Sequence, residues 1–85
     1  MSQNEQRRDE RVSVEKHADV VDLESGVEFE AQLRNLSSEG VLLCSQLEPV
    51  VGADMTLRFD DERRAMRVLR VTRADAGFAV AGRLA

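Results

Sequence analysis

Eighty-five residues with 42% hydrophobic and 33% charged content fit one small domain with a single modest core, and they are too apolar for a disordered chain. No apolar run approaches the roughly 18 residues of a membrane span, and residues 1–30 hold no continuous apolar stretch of secretory type, so neither membrane insertion nor export is expected. A net charge of -4 excludes broad binding of DNA or RNA, which needs an extensive basic surface, and leaves room for a small anion at a local basic site.

In chain order, residues 1–10 are polar after the start methionine and predict a mobile leader, with the folded domain spanning 11–85. From Val12 the chain alternates: Val12, Val14, Ala18 and Val20 share one parity, and Val27, Phe29, Ala31 and Leu33 continue the pattern after "ESG". A period of two predicts half-buried strands. "VLLCSQL" predicts a third strand with Cys44 as a buried thiol, and "EPVVG" ends it with two residues that punctuate structure. One cysteine cannot form an internal disulfide, and the cytoplasm is the expected compartment.

"DMTLRF" alternates through Met55, Leu57 and Phe59, and "DDER" predicts a turn. "AMRVLRVTR" begins on the parity of Met66 and Val68 and slips to that of Leu69 and Val71, which a bulge explains. "ERRAMRVLR" also fits a short helix, but its valines and flanking turns favour a strand. "FAVAGRL" puts Phe78, Val80 and Leu84 on one face, with no helix expected after it. The fold class is therefore all-β: about six short strands in a small antiparallel barrel, since closure removes exposed edges.

Catalytic and metal chemistry find little support. His17 is the lone histidine, and with Asp19 and Asp22 it makes a poor metal set, because such sites rarely rest on one imidazole. Ser37 and Ser38 lack the strand–turn–helix setting of a hydrolase nucleophile. No Gly-rich nucleotide loop is present, so neither an enzyme nor a bound cofactor or metal is expected.

Two stretches remain. Arg7, Arg8 and Arg11 cluster ahead of the first strand with an Arg-x-x-x-Arg spacing, and Asn35-Leu36-Ser37-Ser38-Glu39-Gly40 lies between the second and third. Singly, the first is a solvated charge run and the second a turn. In this order they resemble the two motifs of the PilZ domain family, Arg-x-x-x-Arg and Asp/Asn-x-Ser-x-x-Gly. The similarity extends through "LEPVVGADMTLRF" and "MRVLRVTRADAGFAVAG". Three departures stand out: Asn35 in place of the commoner aspartate, Glu39 as a negative charge inside the motif at a position variable in the family, and a closing strand without the second glycine or the helix that many members have.

The resemblance implies a six-stranded antiparallel barrel and a bacterial receptor for cyclic di-GMP that relays its signal to a downstream protein. It leaves homodimer formation open. It also implies that Arg7 and Arg11 hold phosphate or guanine through bidentate forks, with Arg8 as a supporting cation. Asn35 would accept from guanine N–H groups and Ser37 would bond a polar atom of the ligand. Gly40 would let the backbone turn and approach closely. The alternative is a PilZ-like interaction module that binds no nucleotide. A nucleic-acid-binding barrel fits worse, because those stack bases on aromatics. Here Phe29, Phe59 and Phe78 all fall on apolar parities, and there is no Tyr or Trp.

Overall fold

Alternation builds every element of the computed structural model, which describes the backbone from Val12 to Ala85 and side chains from Glu15 onward. The six strands are β1 (Val12–Asp22), β2 (Glu28–Leu36), β3 (Gly40–Ser45), β4 (Asp54–Phe59), β5 (Glu62–Ala74) and β6 (Gly77–Leu84). All pairings are antiparallel, and the order β1-β2-β3-β6-β5-β4 closes into a barrel. The helix reading of "ERRAMRVLR" gives way to strand β5. No described helix is long and apolar enough to cross a membrane. The expected leader over residues 1–10, with Arg7, Arg8 and also Arg11, lies outside the described residues.

Inward side chains come from the predicted parities. Ala18, Val20, Ala31, Leu33, Met55, Leu57, Phe59, Met66, Val68, Val80 and Leu84 are buried together with Val41 and Leu43. Each buried Leu or Val removes enough apolar surface from water to contribute about 1.5–3 kcal/mol before entropy is counted. Ser45, the one buried polar side chain among the described residues, donates its hydroxyl to the Leu47 carbonyl, which removes the penalty of an unpaired buried group.

Four expectations need correction. Cys44 is half-buried rather than enclosed. β3 buries Val41, Leu43 and Ser45, so the intervening Leu42 and Cys44 must point outward. Phe29 and Phe78 are partly buried beside the core instead of inside it, and the Arg73 guanidinium sits 5.8 Å from the Phe78 ring centroid. Val27 precedes β2 and is 50% exposed. Leu69 is 52% exposed, because alternation from buried Val68 points it outward, and the predicted bulge, which falls between Val68 and Arg70, brings only Val71 back against the core.

Tight turns follow local chemistry. The Asp22 carboxylate accepts from the Glu24 and Ser25 amides at 2.9 and 3.3 Å, an Asx arrangement. The "DDER" turn places Asp60 and Asp61 at positive φ (50° and 64°) between paired Phe59 and Glu62. This is the two-residue hairpin geometry that aspartate tolerates.

Candidate functional site

The β2–β3 connection carries the Asn-x-Ser-x-x-Gly stretch, and its local bonds explain its shape. Ser37 N–H donates to the Gly40 carbonyl at 2.9 Å, and Gly40 N–H donates to Ser37 Oγ at 3.1 Å. The Ser37 hydroxyl in turn lies 3.3 Å from the Gly40 carbonyl. The Glu39 carbonyl accepts from Leu84 N–H at 2.9 Å, which ties the turn to the end of β6. Ser37→Ala should lower stability by about 1 kcal/mol, the usual net value of such a bond. A thermal melt checks this, with a midpoint lower by roughly 4–8 °C expected for a domain of this size.

Gly40 departs from expectation in one respect. Its φ is not in the left-handed region, and a β-carbon there would meet only ordinary contacts, 3.6 Å from the Gly82 carbonyl oxygen and 3.7 Å from Ser37 Oγ. The turn itself therefore does not require glycine. Any need for a bare backbone at this position has to come from something approaching from outside.

Asn35 is aimed by a bulge. Ala31 and Leu33 are buried, so continued alternation would turn residue 35 inward. The register shift between Leu33 and Asn35 instead gives Leu36 to the core and leaves Asn35 on the outer wall. There it lines an open depression of about 450 Å³ with Glu39, Gly40, Leu42, Leu69, Arg70 and Arg83, among others. Asn35 and Gly40 are thus brought together, while Ser37 braces the turn beside them. Arg70 and Arg83 were not singled out by the motifs. They arrive through the pairing of β6 with both β3 and β5, which no local period reveals.

Arg67, in register with Arg83, is already engaged. Its Nε and Nη2 lie 2.9 and 3.3 Å from the two carboxylate oxygens of Asp54. That hydrogen bond first, and the charge second, hold the Asp54 carboxyl below the usual carboxylate range and push the guanidinium up. Among the described residues no ion pair engages Arg70 or Arg83.

A larger depression of about 560 Å³ lies elsewhere on the wall, lined by His17, Phe29, Glu30, Cys44 and Leu47 among others. Among the described residues its lining has no arginine and includes a carboxylate, so it is a poor seat for an anion. His17 is exposed. Its Nε2 lies 3.5 Å from Asp19 Oδ1 and 3.9 Å from Glu30 Oε2, so Glu30 and not Asp22 completes that surface group. Arg58 Nη2 is 3.6 Å from the other Asp19 oxygen and competes with any cation there.

The PilZ domain family model matches residues 5–82, and the chain belongs to the PilZ domain family. Among curated proteins none matches the chain.

Proposed function

We propose that this chain is a cytoplasmic receptor for cyclic di-GMP, without enzymatic activity, in which residues 1–10 fold over ligand held against residues 11–85. The observation that carries this reading is the register of β1 on β2. Val12 pairs with Leu36 and Ser13 with Asn35, so β1 begins beside the start of the Ser37–Gly40 turn. Arg11 is covalently next to Val12, and Arg7 is within roughly 18 Å of it even if the chain is fully extended. Both arginine forks can therefore reach a ligand seated on the Asn35–Gly40 turn.

The ligand's chemistry suits these groups. Two phosphates call for cations that grip oxygens bidentately, and two guanines call for an acceptor facing N1 and N2. Asn35 Oδ1 supplies that acceptor, Ser37 a hydroxyl, and Gly40 an unobstructed backbone. Ordering of the leader would pass the signal to a protein partner. The test is calorimetric titration of the full chain with cyclic di-GMP, with GTP and cyclic di-AMP as controls, at two salt concentrations. Saturable binding of the first alone, weaker at high salt, is expected. No binding of any of the three would instead select an interaction module that takes no nucleotide.

A further inference from the structure

Two bulges lie on one row of the barrel wall. Asn35 pairs with Leu42, Leu42 with Ala81, and Ala81 with Arg70. The β5 bulge between Val68 and Arg70 acts on Arg70 as the β2 bulge acts on Asn35. Met66 and Val68 are buried, so unbroken alternation would aim residue 70 at the core. The extra residue leaves Leu69 and Arg70 both on the outside. Re-aiming a side chain is a recognised use of a bulge. In the adjoining row Gly40 pairs with Arg83. Gly40 and Ala81 offer almost no outward side-chain bulk, so beside Leu42 the floor between Asn35 and the two arginines is open.

Charge points the same way. In an acidic chain this depression holds two arginines against one carboxylate, Glu39. The neighbouring Arg67 is neutralised by Asp54, while Arg70 and Arg83 have no such partner among the described residues. Leu69, more than half exposed, adds an apolar face within reach of a flat base.

We infer that Arg70 and Arg83 form a wall-mounted anion clamp that takes one phosphodiester of the ligand, while Leu69 shields the adjoining base. The inference rests on the cyclic di-GMP reading and adds residues that lie outside the two motifs. The clamp stands on paired strands of the closed barrel, whereas Arg7, Arg8 and Arg11 precede β1.

The experiment is calorimetry of the full chain with cyclic di-GMP at low and moderate salt. The variants are Arg70→Gln, Arg83→Gln and their double, with Arg63→Gln as a control that removes the same charge from an exposed β5 position away from this depression. Melting curves verify that each is folded, as exposed wall positions should be. Each clamp variant should bind about tenfold more weakly, the double should weaken further, and its salt dependence should flatten. Arg63→Gln should match the parent. If the parent binds and the clamp variants bind equally well, or lose no more than Arg63→Gln, the clamp is wrong and the motif reading stands. If the parent itself does not bind, that reading falls and takes the clamp with it.

Discussion

Alanine at Gly77 should be among the most damaging single substitutions in the barrel, costing about 2–4 kcal/mol through strain and overlap together. Gly77 opens β6 directly after the turn that ends β5, with φ at 141°, a region that side-chain-bearing residues rarely enter. A β-carbon there would also overlap the carbonyl oxygen of Ser45 and crowd the Gln46 backbone. These are main-chain atoms at the β3–β6 seam, where Ser45 pairs with Phe78, so relief means parting two strands. A midpoint lower by roughly 10–25 °C follows for a domain of this length. Gly26 makes a useful comparison. It also has positive φ, at 78°, but nothing lies within 4 Å of its missing β-carbon, so Gly26→Ala should cost only about 1 kcal/mol. Equal melting of the two variants would show that the strand contact at Ser45 is not as close as described.

The second large effect concerns ligand. Replacing Arg7 or Arg11 with alanine should weaken cyclic di-GMP binding about tenfold or more for each, and the pair about a hundredfold. These figures follow from roughly 1.5–3 kcal/mol per charge-assisted bond. Lysine at either position should recover only part of the loss, because an ammonium cannot present the planar fork. Calorimetry of the two single variants, the double and the Arg→Lys pair checks the order. Parental affinity in Arg11→Ala would remove that residue from the site. Neither substitution should change the melting temperature without ligand, since every core side chain among the described residues comes from the strands.

Much of the fold is legible along the chain because each strand buries one face. Met55, Leu57 and Phe59, or Val80 and Leu84, declare themselves by parity alone, and the slip between Val68 and Val71 marks the β5 bulge within the sequence itself. Cys44 misleads because "GVLLCS" is apolar on both faces, and only the pairing decides which side meets the core. Asn35 is harder still. Its parity assigns it inward, and a bulge whose only sign is a polar residue on an apolar parity reverses that. The motif marks Asn35 as part of the site, but nothing local shows how it comes to face out. Arg70 and Arg83 are invisible to local patterns, since they meet Asn35 only through strands that are neighbours in space and distant in sequence.

The closed ladder has a consequence for how a protein partner could dock. β3, β4 and β6 have hydrogen-bonded neighbours on both sides over nearly their whole lengths. A partner peptide cannot lengthen the sheet there in the manner of β-augmentation. On those walls a partner would have to read side-chain shape and charge, which a nucleotide bound as proposed would cover.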